Sequence, residues 1–148
     1  MMNPMIEYQG EKFRLSRAFN DYDDYKEAAD NIDPQELDRI EATILSARIP
    51  KEFSSKMEFV LAALKLSFPG FGFGGLEDQD NVHTATIEIP HKDAYRYITA
   101  LERNGRWHVV DDFKGPIAYG GTTVQIEHGQ LIYRTHKGDE FRRKSLDW

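Results

Sequence analysis

Apolar residues recur along this chain with two different periods. Leu37, Ile40 and Ile44, with Ala47 behind them, stand three or four apart, the spacing that lines one face of a helix. Asp33-Pro34-Gln35-Glu36 marks its start, with an aspartate to cap, a proline at the first helical position and an acid in the first turn. Ile49-Pro50 ends it near Ala47. Ser55 and Glu58 then have the spacing of a capping box, in which the hydroxyl accepts from a free helix N–H and the carboxylate reaches back to the cap. Seven of the eight residues from Phe59 to Leu66 are apolar, so this next helix should be buried on more than one side. Pro69-Gly70 stops it.

From Val82 the period becomes two. His83, Ala85, Ile87 and Ile89 alternate with Thr84, Thr86 and Glu88 as far as Pro90. Ala94–Arg103 and Arg106–Phe113 flank Asn104-Gly105, a strong signal for a two-residue hairpin because both positions tolerate positive φ. That register places Ala100 opposite Val109, Ile98 opposite Asp111 and Glu102 opposite Trp107. Thr122–Glu127 and Gln130–Thr135 flank His128-Gly129, and a last strand runs from about Asp139 to Leu146. Near the start, Ile6 to Leu15 turns at Gln9-Gly10 and reads as a small hairpin or one short strand. The fold class expected is α+β. An N-terminal hairpin and two to three helices pack on one face of a C-terminal antiparallel meander of about five strands.

A length of 148 residues suits one domain, here 1–148, with a helical part over about 20–68 and a sheet part over about 82–146. Charge changes the picture more than size does. Asp21, Asp23, Asp24, Glu27, Asp30, Asp33, Glu36, Asp38 and Glu41 are opposed locally only by Lys26 and Arg39, so this segment accounts for the whole net charge of −6. Arg134, Lys137, Arg142, Arg143 and Lys144 give the end of the chain the opposite sign. An acidic chain without a broad basic face is a poor nucleic-acid binder. No cysteine is present, which removes disulfides, thiolate nucleophiles and Cys-based zinc sites. The start has no basic region followed by a long apolar run, and no apolar run approaches the roughly 20 residues that span a membrane. A cytoplasmic location without membrane attachment is expected.

Candidate chemistry is sparse. The histidines His83, His91, His108, His128 and His136 show no helical i, i+4 pair of the kind that holds zinc, and neither metal nor cofactor is expected. No G-x-S-x-G surrounds any serine. Phe68-Pro69-Gly70-Phe71-Gly72-Phe73-Gly74-Gly75 is glycine-rich but follows a helix, lacks a lysine and runs into Glu77-Asp78-Gln79-Asp80, so it does not suit phosphate. Its aromatics fold over the core or, if Phe71 and Phe73 are exposed, anchor a partner.

Ile40-Glu41 followed by Ile49-Pro50-Lys51-Glu52-Phe53 resembles the opening of SUKH-superfamily immunity proteins, which carry a similar Ile-Glu, Leu-Pro and aromatic spacing before a second helix. The resemblance is confined to residues 40–53; the long segment before it and the glycine-rich run after it depart from that pattern. Asn104-Gly105-Arg106-Trp107-His108-Val109-Val110-Asp111-Asp112 resembles the G-x-W-x-h-h strand of NTF2-like domains. That second resemblance implies a conical pocket in which an Asp–His pair acts as general base and orienter. Trp107, His108 and Asp111 would line it, and a desolvated Asp111 would have a raised pKa. The NTF2-like fold interleaves a strand among its helices, and no clear strand stands between Asp33 and Phe68.

Two functions follow as expectations. The first is a small acidic cytoplasmic protein-binding module, an inhibitor of the immunity or antitoxin type that blocks a basic toxin or nuclease-like partner. Its surface would comprise Asp21, Tyr22, Asp23, Asp24, Tyr25, Glu27 and Asp30, with Phe71 and Phe73 as further anchors. The alternative is an NTF2-like enzyme or ligand-binding domain centred on Trp107, His108 and Asp111.

Overall fold

The computed structural model describes residues 5–8, 11–14, 21–66, 73–75, 84–91, 94–117 and 122–146. Met5–Tyr8 (β1) and Glu11–Arg14 (β2) pair antiparallel. Asp21–Asp30 forms α1 and Pro34–Ser46 forms α2. The Asp33 carboxylate accepts from the N–H groups of Gln35 and Glu36, at 3.1 and 3.3 Å, which relieves two donors that the first turn leaves unpaired. A two-residue strand, Glu52–Phe53 (β3), separates α2 from Lys56–Leu64 (α3). The alternation rule had no means of detecting so short a strand.

Ser55 caps α3 by accepting from the Glu58 N–H at 3.1 Å, while the Glu58 carboxylate accepts from the Ser54 hydroxyl. Phe59, Val60, Leu61 and Ala63 are all buried, as expected of a helix that is apolar nearly all round. Phe73–Gly75 forms the short β4, and Thr84–His91 (β5), Ala94–Arg103 (β6) and Arg106–Gly115 (β7) are long strands. Asn104 and Gly105 turn between β6 and β7 with φ of 55° and 78°, as a two-residue hairpin requires. Thr122–Glu127 (β8), Gln130–Thr135 (β9) and Glu140–Ser145 (β10) complete the described elements.

The fold is α+β and its sheets are antiparallel, but the single meander expected from residue 82 onward is divided. One sheet has the order β3-β7-β6-β5-β4, and a separate sheet has the order β10-β9-β8. The reason lies in β6, where all eight residues from Ala94 to Leu101 are buried. Ile98 and Ala100 pack with Ile44, Phe59, Val60 and Ala63 of α2 and α3. Tyr97 and Leu101 alternate with them and point the other way, Leu101 packing with Val124, Leu131 and Tyr133 of the second sheet. A strand apolar on both faces must be covered on both faces. α2 and α3 supply one cover, and β8–β10, joined by Ala29 of α1 against Tyr95 and Tyr97, supply the other.

Candidate functional site

The register of β7 against β6 decides what the candidate residues can do. Trp107 lies opposite Glu102 and Val109 opposite Ala100, as expected. Thr99 then pairs with Asp111 and Ile98 with Asp112, so Val110 is the extra residue of a β-bulge. A bulge sets two residues of one strand against one of the other and re-aims the side chains that follow. The expected Ile98–Asp111 pairing is therefore wrong by one residue, and every facing beyond Val109 changes with it.

Trp107, before the bulge, joins the helix-side core with Phe53 and Phe59, and the Lys56 ammonium lies 5.8 Å from its ring centroid. Asp111 faces the second sheet. The sheet itself separates the two residues, and they share no pocket. His108 pairs with Leu101 on the second-sheet side, whereas Asp112 turns toward the helices. His108 and Asp112, placed on one face by simple alternation, lie on opposite faces.

Both adjacent aspartates are engaged by arginines. Asp111, 3 % exposed, accepts from Nε and a terminal nitrogen of Arg142 at 2.8 and 2.7 Å. This bidentate geometry matches carboxylate to guanidinium. The Lys144 ammonium stands 3.8 Å from Asp111, and the Arg142 guanidinium lies over the Phe113 ring at 3.9 Å. Hydrogen bonding to Asp111 raises the pKa of Arg142 above its ordinary value. Asp111 is thus committed to a bidentate pair with Arg142.

Asp112 makes the mirror arrangement on the other face. Arg96 donates to its two oxygens at 2.9 and 2.7 Å. The same guanidinium donates to the Ile44 and Ala47 carbonyls, each at 2.7 Å. Those carbonyls belong to the last turn and C-cap of α2, where backbone acceptors lack helical partners and a cation suits the dipole. Two consecutive aspartates on opposite faces therefore tie β7 to the second sheet and, through Arg96, to the end of α2.

The acidic helices show a different arrangement. Asp23, Glu27 and Asp30 of α1 are exposed, and their spacing places them on one side of the helix. Ala29 is buried and packs with Tyr95 and Tyr97, so this stripe lies away from the body. The side chains of Asp21, Tyr22, Asp24 and Tyr25, and the whole of Phe71, lie outside the described residues. Phe73 is placed only by its backbone, paired with Glu88. Arg39 forms an ion pair with Glu36 on the outer side of α2.

Among the described residues, no group of three or more His, Asp or Glu side chains is placed to hold a metal ion. No helix among them is long and apolar enough to cross a membrane. The residues that sequence reasoning missed are Arg96, Asp112 and Arg142. Arg96 carried a signal: it is a charge at an inward position of an apolar strand, flanked by two tyrosines, and such a charge needs a partner. No family model, curated protein or solved structure matches the chain.

Proposed function

We propose that the chain is a protein-binding module of the immunity or antitoxin kind, acting in the cytoplasm, whose acidic helical surface blocks a basic protein partner. One observation carries this reading: the outer side of α1 presents Asp23, Glu27 and Asp30 to solvent while its inner side is anchored through Ala29. Carboxylates held on a docked helix attract the lysines and arginines of a cationic surface from a distance and raise the rate of encounter. Tyr22 and Tyr25 would add apolar anchors amid the charge. The ion-paired Asp111 also favours this reading over the catalytic alternative, because a base already held by two N–H donors is a poor acceptor of a substrate proton.

The test combines capture with substitution. A tagged chain should retain a basic protein from its host's lysate at low salt and release it at high salt. A variant with Asp21→Asn, Asp23→Asn, Asp24→Asn and Glu27→Gln together should fold normally and associate with that protein at least tenfold more slowly. Co-expression should suppress the partner's toxicity only with the unsubstituted chain. Association unchanged by the fourfold variant would end the acidic-surface reading.

A further inference from the structure

β10 is an outer strand of the three-stranded sheet, with β9 as its neighbour. The hydrogen bonds fix which of its backbone groups that pairing uses. The Leu146 N–H donates to the Gly129 carbonyl at 3.0 Å, and Lys144 and Arg142 stand opposite Leu131 and Tyr133 in the same register. Backbone groups on an antiparallel strand point alternately toward and away from the partner. The N–H and C=O groups of Arg143 and Ser145 therefore point away from β9, and no strand among the described residues lies beyond them. We propose that this edge is a docking site for an acidic, extended segment of another protein, which adds to the sheet as a further strand.

The edge is ordered before anything binds. Arg142 clasps the buried Asp111, and Leu146 packs with the core between the two sheets. On the other face of the strand, Arg143 donates to Glu140 and Gln130. An incoming segment meets a template that costs little to organise. The register shift between Glu140 and Arg142 ends the regular edge, so its usable length runs from Arg142 to Leu146.

Charge selects the occupant. Arg142 and Arg143 are paired with Asp111 and Glu140. Lys144 is different: its ammonium stands 3.8 Å from a carboxylate that Arg142 already holds, and 43 % of its side chain is exposed. Arg143 and Lys144 point to opposite faces, so a strand laid along the edge passes between two half-exposed cations. A second copy of β10 would set cations against cations, which is unfavourable. Aspartate or glutamate opposite Lys144 turns the same charge into an attraction. This edge is opposite in sign to the outer side of α1 and is a second surface, independent of the one proposed above.

The test titrates the full chain with a short blocked peptide that alternates glutamate with valine, and follows the backbone amides by NMR. Shifts should centre on Arg142–Leu146, exchange of the Arg143 and Ser145 amides should slow, and added salt should weaken binding. Ser145→Pro removes an outward N–H and no ladder bond, so it should leave the thermal midpoint in place and weaken binding about tenfold. Lys144→Glu should weaken it about threefold. The proposal is overturned if the shifts centre on another element, if both variants bind as the wild type does, or if millimolar peptide does not bind. Equal slowing of the Arg143 and Ser145 amides by a peptide with lysine in place of glutamate would overturn it as well.

Discussion

On the side of the five-stranded sheet that meets the helices, Ile87, Ile89, Ile98, Ala100 and Trp107 pack against Ile44, Phe59, Val60 and Ala63. On the opposite side, hydroxyls and charges are threaded through the aromatics. Tyr133 of the second sheet donates to Thr99 at 2.8 Å, the Thr86 and Thr99 hydroxyls lie 3.0 Å apart, and Arg142 clasps Asp111. The Tyr97 and Phe113 rings stack 4.9 Å apart beside them. Apolar area is non-directional and stabilises any close packing of the helices. Hydrogen bonds and a bidentate ion pair accept one geometry only and leave costly orphans in any other. The helix layer is therefore held mainly by burial, with the Arg96–Asp112 clasp fixing only the end of α2, whereas polar pairing runs through the aromatics of the second sheet and holds its register.

The largest test of that contrast is Phe59→Ala, which removes a fully buried ring and should cost roughly 3–5 kcal/mol in urea unfolding. On the other side, Arg142→Ala strands the carboxylate of Asp111. Because Arg142 keeps 32 % of its side chain exposed, the loss should be about 2–3 kcal/mol, at or below the low end for a broken buried pair. Joint replacement, Asp111→Leu with Arg142→Met, should recover most of it, and a double-mutant cycle measures the coupling. If the joint loss equals the sum of the two single losses, the residues are not coupled and polar pairing is not what holds this layer.

Smaller effects sharpen the comparison. A methyl group at position 115 would stand 2.8 Å from ring carbons of both Tyr97 and Phe113. Gly115→Ala should therefore cost about 1–2 kcal/mol through displacement of the stacked rings, visible as a lower thermal midpoint and altered near-ultraviolet circular dichroism. Lys144→Ala should cost less than about 0.5 kcal/mol, because a half-exposed ammonium at 3.8 Å adds little to a carboxylate already paired.

Much of the fold could be read from the chain because its signals were local. The Asp33 and Ser55 caps, the Asn104-Gly105 turn and the alternation in β5 each act within a few residues. The division into two sheets was not local. It depends on β6 needing two covers, and the evidence for that lay in Tyr95, Tyr97 and Leu101 read together with Ile98 and Ala100. The candidate site was misread for a related reason. Asp111 was singled out on the expectation of an inner face shared with Trp107; it is buried, but one unpaired residue upstream turned it away from Trp107, and no periodicity in β7 reports that insertion. Asp112 and Arg96 were passed over because their partnership spans two strands and the end of a helix.

Val110 has a consequence for how the length of this chain can vary. Without it, Val109, Asp111 and Asp112 would succeed one another opposite Ala100, Thr99 and Ile98 in unbroken alternation. Deleting Val110 should then leave each aspartate with its own arginine, at the cost of some twist and one apolar contact. Deleting Val109 instead gives the same sequence, whereas deleting or inserting a residue between Asp111 and Phe113 with the bulge retained would exchange inward and outward side chains across the rest of the strand. Related chains, if they differ in length within this strand, are expected to differ at that single position.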